Sequence, residues 1–439
     1  MSERILIVGS GAREHAIAAA LAISPQKPEL ICFGSAHNPG IDVLCLEYAV
    51  GKITDASAVA AFAREHAATL AVIGPEAPLA AGVADALAAA GVKTVGPTQS
   101  LARIESSKGF ARELLAKHGI AGNPFYQRFS SMEGVEEVLR AWDKRHVIKD
   151  DGLAGGKGVK VWGDHLHSLR HSLEFCRELV ALGHPFVIEE KMEGEEFSLM
   201  SFCDGLMLQH MPAVQDHKRA DNGDKGPNTG GMGTYTDANH SLPFLRESDI
   251  AEARAINERV AAALREECGE PYCGILYGGF IATRDGVKLI EYNARFGDPE
   301  CLNLLTLLET DFLEVCRAIV NQKLRDVSVK FAAKASVCKY VVPDGYPDHP
   351  RVGDDVVLPK ELPKGVTMYL GAVDMKNGEL VATGSRTVGV VGVAETIAEA
   401  ERMCEGVVQE IPGRFFHRAD IGTAELIAKR VEHMKAVRS

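Results

Sequence analysis

The stretch KDDGLAGGKGVK, residues 149–160, decides how this chain is read. Glycines clustered around a lysine make loops that wrap phosphates, and two kinds of loop are candidates. A fixed Walker cradle needs four residues between its glycines and then Lys-Ser or Lys-Thr. Here Leu153, Ala154 and Gly155 alone separate Gly152 from Gly156, and Lys157 is followed by Gly158, which has no hydroxyl for a magnesium ion. The Walker reading fails on both counts. What remains is a flexible glycine hairpin between two strand-like segments, HVIK (146–149) and VKVW (159–162).

Upstream, the first hundred residues alternate. RILIVG (4–9), ELICFG (29–34), LAVIGPE (70–76) and VKTVGP (92–97) read as strands, and 13–23, 56–67 and 79–90 as helices. That alternation predicts parallel βαβ units in a doubly wound sheet. Ligands of such sheets lie at the carboxyl ends of the strands, so GSGAREH (9–15), GSAHNPG (34–40) and GPEAPLAAG (74–82) share one rim. A dinucleotide fingerprint would need glycine at 14 and an acid near 33. Glu14 and Phe33-Gly34 stand there, which argues against a nicotinamide enzyme. A loop feeding a helix N-terminus still suits an anion, with Arg13 adding charge; a purely steric turn is the other reading.

Residues 106–119 form a helix with a serine N-cap candidate. From 124 to 195 a helix, the glycine hairpin, a helix at 165–182 and the strand PFVIEE make a compact α+β unit. FSLMSFCDGLMLQHM (197–211) reads as two antiparallel strands turning at Asp204-Gly205. A long helix spans 248–267, and 274–293 is a hairpin around Arg284-Asp285-Gly286. Beyond about 330 the chain turns β-rich, with a final helix at 393–408.

The 439 residues suffice for two to four domains with their own cores. No basic stretch precedes an apolar run at the N-terminus, so no signal peptide is read. No apolar run approaches the roughly 20 residues that span a bilayer. The net charge of −12 argues against a broad nucleic-acid surface. The ten cysteines are scattered without a CxxC pair, which suits small buried residues in a reducing cytosol rather than zinc or disulfides.

Four further runs carry chemistry. In IEYNARFGDPE (290–300), Glu291 and Asn293 project on one face of a strand. A carboxylate beside a carboxamide oxygen suits Mg²⁺, which takes few protein ligands plus substrate phosphates. Arg295 follows, with a guanidinium fork for a carboxylate or a phosphoryl group. IEEKMEGEEFS (188–198) has two readings: a solvated loop, or a nucleotide contact with Glu189 at an adenine amino group, the backbone of Glu190 and Met192 at the base edge, and Glu196 at the ribose hydroxyls. Lys108 and Lys149 are either phosphate ligands or snorkelling surface lysines. QDHKRADNGDKGPNTGGMG (215–233) is a long polar glycine-rich loop, and such a loop inside a compact domain points to substrate.

With these runs in hand, the chain resembles the ATP-grasp ligases, and within them the phosphoribosylamine–glycine ligase (glycinamide ribonucleotide synthetase) family. GSGAREH, GPEAPLAAG, DGLAGGKGV, EGEEFS, the 215–233 run, IEYNARFGDPE and FHRADIG (416–422) occur in the family's order across nearly the whole chain. DGLAGGKG alone would mean only ATP-grasp; QDHKR with GPNTGGMG and RFGDPE is specific to this ligase.

The resemblance implies an N-terminal Rossmann-like substrate domain (1–105), an ATP-grasp large lobe (106–123 plus 196–330), a small lobe acting as a lid (124–195) and a β-rich C-terminal domain (331–439). It implies ATP held by Lys108, Lys149, Gly155, Gly156, Lys157, Gly158, Glu189, Glu190, Met192 and Glu196, and Mg²⁺ or Mn²⁺ on Glu291 and Asn293. Asp216, Lys218 and Arg295, with Lys149, would carry catalysis. Asn228, Thr229, Gly230, Gly297 and Asp298 would contact substrate beside them. Gly9, Gly11, Arg13, Glu14 and Glu76 would hold 5-phosphoribosylamine. Glycine would be joined to that amine through glycyl phosphate, in the cytoplasm, by a stand-alone enzyme read as a monomer.

The chain departs from the family's usual pattern in the first loop, in Ala154-Gly155-Gly156, in GSAHNPG, in LLTLLETDF after GDPE, and at Ser385 in ATGSRTVGV (382–390). Other ATP-grasp ligases, such as D-alanine ligases and the aminoimidazole ribonucleotide carboxylating enzymes, are disfavoured by the 215–233 run. A nucleotide sensor with a dead site is disfavoured by the joint presence of Lys108, Lys149, Glu291, Asn293 and Arg295.

Overall fold

The computed structural model describes residues 3–153 and 158–439. Gly155, Gly156 and Lys157 lie outside the described residues. The first strand, Arg4–Val8, is the centre of a five-stranded parallel sheet. Glu29–Gly34 and then Glu47–Val50 extend it on one side, Leu70–Ile73 and then Lys93–Val95 on the other. Ile5, Leu6 and Ile7 are fully buried, as a sheet covered on both faces requires. Strand order reverses between Arg4–Val8 and Leu70–Ile73. That switch point opens a crevice, and both GSGAREH and GPEAPLAAG follow the two strands that flank it.

Three local readings change. The helix expected over 79–90 is two, Glu76–Ala80 and Val83–Ala89, because Gly82 takes a left-handed φ of 77° between them. Glu47–Val50 is an edge strand that no run of apolar residues announces. A helix, Gln99–Ser106, precedes the expected one, which itself spans Lys108–Lys117 with Ser107 as its cap.

The segment 124–195 folds around its own sheet. Strands Tyr126–Phe129, Phe186–Glu190, His146–Asp150 and Val159–Val161 lie in that order, all antiparallel. Helices Val135–Trp142 and Leu169–Ala181 cover one side, and a separate core of Leu139, Ile148, Leu173, Cys176, Phe186 and Ile188 fills the space between. Lys149 pairs directly with Val159, so the glycine run is the connection between two neighbouring strands. A second antiparallel sheet orders Leu208–His210, Glu195–Asp204, Cys273–Thr283 and Gly286–Asn293. The long helix Glu247–Cys268 packs on it, with Asn257 accepting from the Tyr292 hydroxyl (2.9 Å) and donating to the Leu199 carbonyl (3.1 Å).

The polar run 215–233 is not one loop. Gln215–Asp216 and Gly233–Thr236 are paired strands, and Arg219–Asp221 and Lys225–Asn228 form a small hairpin between them. Through Gly233–Thr236 the run joins the six-stranded sheet built on Ala335–Pro343, Val388–Ala394 and Val366–Leu370. The C-terminal sheet thus recruits strands from inside the segment read as the large lobe. The helix expected at 393–408 runs Ile397–Val408, and it is not the last: Ala424–Val437 follows. Among the described residues no helix is long and apolar enough to cross a membrane.

Under the C-terminal sheet Lys339 is fully buried, held by Glu401 (2.7 Å), Glu405 (2.6 Å) and the Ala419 carbonyl (2.9 Å). Burial pushes the Glu405 carboxyl up, but Lys339 more than reverses this and holds it below its ordinary value. A carboxylate depressed in this way stabilises the fold fully above its unfolded pKa and loses that contribution as pH falls through the folded value. Lys339→Met should therefore destabilise this region by up to about 3–5 kcal/mol near neutral pH, because two part-buried carboxylates lose their fully buried cation. The deficit should narrow below the ordinary glutamate value of 4.5. Urea unfolding of both proteins on either side of that pH measures both effects.

Candidate active site

The two antiparallel sheets, the N-terminal rim and the C-terminal sheet enclose a cavity of about 1080 Å³. At one end the start of the Lys108–Lys117 helix meets the glycine hairpin. Lys108 Nζ donates to the Gly152 carbonyl (2.9 Å), and Asp151 accepts from Ser107 Oγ (2.9 Å) and the Gly109 N–H (3.0 Å). One turn further along the same helix, Arg112 grips Glu189 in a fork, 2.7 and 2.9 Å, and Lys149 Nζ reaches the same carboxylate at 2.7 Å. Arg112 Nη2 and Lys149 Nζ both donate to the Ile290 carbonyl, at 2.7 and 2.9 Å.

Burial alone would raise Glu189, but Arg112 and Lys149 hold it at about 2. Burial pulls the Lys149 ammonium below its ordinary value despite Glu189. The cluster carries two cations on one anion, and Arg112 Nη1 is buried without a partner. An anion in the cavity would complete it. The Glu189 carboxylate, read above as one half of an adenine contact, is engaged here by these two cations. The Glu190 N–H is also engaged, donating to the Phe125 carbonyl (3.0 Å), while its carboxylate accepts from the Phe125 N–H (2.9 Å). Gly158, Glu190, Met192 and the exposed Glu196 all line the cavity.

Glu291 and Asn293 stand two apart on Gly286–Asn293, both half-buried and both lining the cavity. Glu291 lies 3.8 Å from Lys218 Nζ. Burial would raise Glu291, but Lys218, Lys149, Lys108 and Arg295 together hold it low, so it is a carboxylate at neutral pH. Among the described residues no group of three or more His, Cys, Asp or Glu forms a metal cage. Two hard oxygens with open space beside them fit magnesium, which completes its shell with phosphates and water. Asn293 Oδ1 accepts from Arg295 Nη2 (3.1 Å). The strand ends at Asn293, so Arg295 is placed by Glu105 (2.9 Å) and the Phe296 carbonyl (3.1 Å) rather than by strand alternation. Its Nε lies 3.5 Å from Glu76 and has no hydrogen-bond partner.

Across the cavity, the strand at 215–218 splits its side chains by parity. Asp216 and Lys218 point towards Glu291 and Glu300, while Gln215 and His217 meet Tyr235, through the Tyr235 hydroxyl (2.6 Å) and ring contact respectively. Burial and the neighbouring Glu300 push the Asp216 carboxyl well above its usual range. Burial would lower Lys218, but Glu291, Glu196, Asp216 and Glu300 more than compensate and hold it charged. Thr229 caps the Lys218 carbonyl through Oγ1 (2.9 Å), and Gly231, at φ 111°, comes so close to Asp216 that a Cβ would meet its Oδ1 at 2.6 Å. Asn228, Thr229, Gly230, Gly297 and Asp298 all line the cavity. Arg386 ties this wall together, donating to the carbonyls of Gly230 (2.5 Å) and Asp298 (2.7 Å) and pairing with the Asp298 carboxylate (2.9 Å).

At the N-terminal rim, Arg13 and Glu76 reach the cavity; Gly9, Gly11 and Glu14 do not. The buried Glu14 accepts from the Gly11 N–H (2.6 Å) and from Arg13 Nε (2.7 Å). The Gly11 N–H of the rim loop is thus answered by the chain's own acid. Glu14, packed against Gly9 and bound by the Gly11 N–H, holds Arg13 in place. Sequence reasoning missed Glu105, Arg112, Tyr277, Glu300 and Arg386. Arg112 had a signal, since it sits four residues beyond Lys108 on one helix face. Arg386 is next to Ser385, which drew attention to that segment for another reason.

Comparison with known proteins agrees with this geometry. Three family descriptions match in succession: the N domain of phosphoribosylglycinamide synthetase at residues 3–105, its ATP-grasp (A) domain at 106–301 and its C domain at 336–424. A phosphoribosylamine–glycine ligase of Methanosarcina acetivorans is 47% identical over 438 residues, covering 100% of this chain and 98% of the relative. The crystal structure of phosphoribosylamine–glycine ligase from Thermotoga maritima superimposes with a TM-score of 0.81 at 28% identity, over 95% of this chain and 99% of that one. The biotin carboxylase domain of Hydrogenobacter thermophilus 2-oxoglutarate carboxylase, solved with MgADP, shares the fold at 13% identity and a TM-score of 0.71, over 99% of this chain and 94% of that one. With matches along its whole length, the chain belongs to the phosphoribosylglycinamide synthetase family.

Proposed function

We propose that the cavity carries out the ATP-dependent joining of glycine to 5-phosphoribosylamine, with each wall serving one substrate. The observation that carries this reading is the buried excess of positive charge at Lys149 and Arg112 beside the paired oxygens of Glu291 and Asn293. ATP lies between the two antiparallel sheets. Lys108 and Lys149 meet its phosphates, the 149–160 hairpin covers them, and Glu196 takes the ribose hydroxyls. Glu291 and Asn293 would hold Mg²⁺ or Mn²⁺, which neutralises charge on the phosphates when bound.

Glycine's carboxylate attacks the γ-phosphate, ADP leaves, and glycyl phosphate forms. The amine of 5-phosphoribosylamine then displaces phosphate to give the amide. No covalent nucleophile is needed: the chain contributes positioning and charge. Lys218 and Arg295 steady the carboxylate and the transferred phosphoryl group, and Asp216 with Asn228–Gly230 holds the glycine amine. Arg13 and Glu76 face the phosphoribosylamine at the sheet's switch point. Closing the hairpin excludes water from the acyl phosphate.

The division of labour follows the chain: 1–105 for the amine substrate, 106–123 with 196–330 and the 124–195 lid for ATP, and 331–439 bracing the glycine wall. The chain is read as a monomer, and ten free thiols support a reducing cytoplasm.

The direct test is ADP release that depends on glycine, with phosphoribosylamine generated in place; turnover without glycine, or with D-alanine in its stead, would point to a different ligase. Glu291→Ala should lower ADP formation by about 1,000-fold or more while the fold survives by circular dichroism. Unchanged turnover would remove Glu291 from the metal site. Lys218→Met should raise the KM for glycine by about tenfold or more, with the KM for phosphoribosylamine unaltered. Equal effects on both substrates would break the assignment of separate walls.

A further inference from the structure

The final helix, Ala424–Val437, lies almost wholly beyond the matched family segment, yet Arg430 and His433 line the cavity. The helix is pinned at both ends. Thr423 caps its start, and Arg438 pairs with Asp249 at 2.6 Å. Between these anchors it reaches two elements of the site. Arg430 Nη2 donates to Asp224 Oδ2 at 2.5 Å, in the turn of the small hairpin between Asp216–Lys218 and Asn228–Gly230. Arg430 Nε lies 3.4 Å from Glu195 Oε2, and His433 Nδ1 contacts Glu195 Oε1 at 2.6 Å. Glu195 opens the strand whose next residue, Glu196, lines the cavity. The segment just before the helix grips the same turn: Arg418 meets Asp224 Oδ1 (3.0 Å), and Asp420 accepts from the Gly223 N–H (2.8 Å).

We propose that this C-terminal helix is a positioning element of the active site, with Arg430 clamping the glycine wall at Asp224 to the nucleotide wall at Glu195. The inference rests on the residue roles given above. Charge balance separates it from a purely structural brace. Without Arg430, Asp224 keeps Arg418 and Glu195 keeps His433, so neither carboxylate is left buried and alone. What is lost is the bridge between the two walls. Arg430 Nε and His217 Nε2 are moreover buried without hydrogen-bond partners, and both residues line the cavity. A brace serving stability alone has no reason to leave polar atoms in that state.

The experiment uses the full chain with Arg430→Met and Arg430→Lys, and measures the KM of each substrate, kcat and the thermal midpoint. Arg430→Met should raise the KM for glycine and for ATP by about tenfold each, with kcat at saturation within about threefold. The KM for phosphoribosylamine and the thermal midpoint should stay put, and lysine should recover most of the loss. Unchanged KM values would overturn the proposal. So would a uniform loss of activity with a lowered midpoint that lysine restores no better than methionine. If Lys218→Met raises the glycine KM and Arg430→Met does not, the clamp alone fails. If Lys218→Met is itself silent, the assignment of the glycine wall fails first.

Discussion

One carboxylate between two cations sets the geometry of this molecule. Glu189 sits on a strand of the small sheet, Lys149 on its neighbour, and Arg112 on a helix packed outside that sheet. Both cations also donate to the carbonyl of Ile290, in the other antiparallel sheet. Burying charges is costly unless they are paired and hydrogen-bonded, so this arrangement holds only if all three elements keep their places. It therefore fixes the small sheet against the large one where the cavity begins. It also fixes the peptide just before Glu291, and with it the direction in which that carboxylate points.

The remainder of the site spreads outward from that point with alternating charge. Lys218 stands opposite Glu291, Arg295 lies between Glu105 and Glu76, and Arg386 anchors Asp298. Nearly every cation has an acid within reach, so the cavity is not a generic anion trap. Arg112 and Lys149 share a single acid, Glu189, and the triphosphate is assigned beside them. Electrostatic stabilisation by groups already in place costs no reorganisation at the moment of reaction. That suits phosphoryl transfer, in which little covalent work falls to the protein.

Much of this was legible in the sequence, and the failures are informative. The parallel sheet, the paired strands at 197–211 and 274–293, and the placement of Glu291 and Asn293 two apart on one strand followed from period and residue type. Lys108 and Lys149 were legible as charges; Arg112, four residues beyond Lys108, offered only its helical spacing, which a solvated arginine shows equally. Glu189 left its partner open because an acid at a strand end offers the same lone pairs to a base as to a guanidinium. Only the fold brings Arg112 near. Glu14 is similar: sequence alone does not show that it takes the Gly11 N–H of the rim loop. The run at 215–233 looked like a loop because its strands are short and polar. Their pairing partner, Ala335–Pro343, lies about a hundred residues away.

That distant partner explains why the C-terminal unit cannot be regarded as an appendage. Gly233–Thr236 is registered against Lys339–Ser336, and Gln215–Asp216 against Tyr235–Thr234. A slip by one residue would exchange the two faces of the 215–218 strand, turning Gln215 and His217 towards Glu291 and hiding Asp216 and Lys218. The register is held by side-chain hydrogen bonds and a close backbone approach within and behind this sheet. The Tyr235 hydroxyl donates to Gln215, Thr234 bonds Asn303, and Asn303 donates to Ser336 at 2.9 Å. Gly233 lies so near the Cys338 carbonyl that a Cβ there would meet it at 2.3 Å. The side chains turned towards Glu291 and Glu300 are thus selected by a sheet whose strands Ala335–Pro343 and Val388–Ala394 do not line the cavity. Any account of the reaction that stops at the ATP-grasp lobes leaves out the element that decides which of them face it.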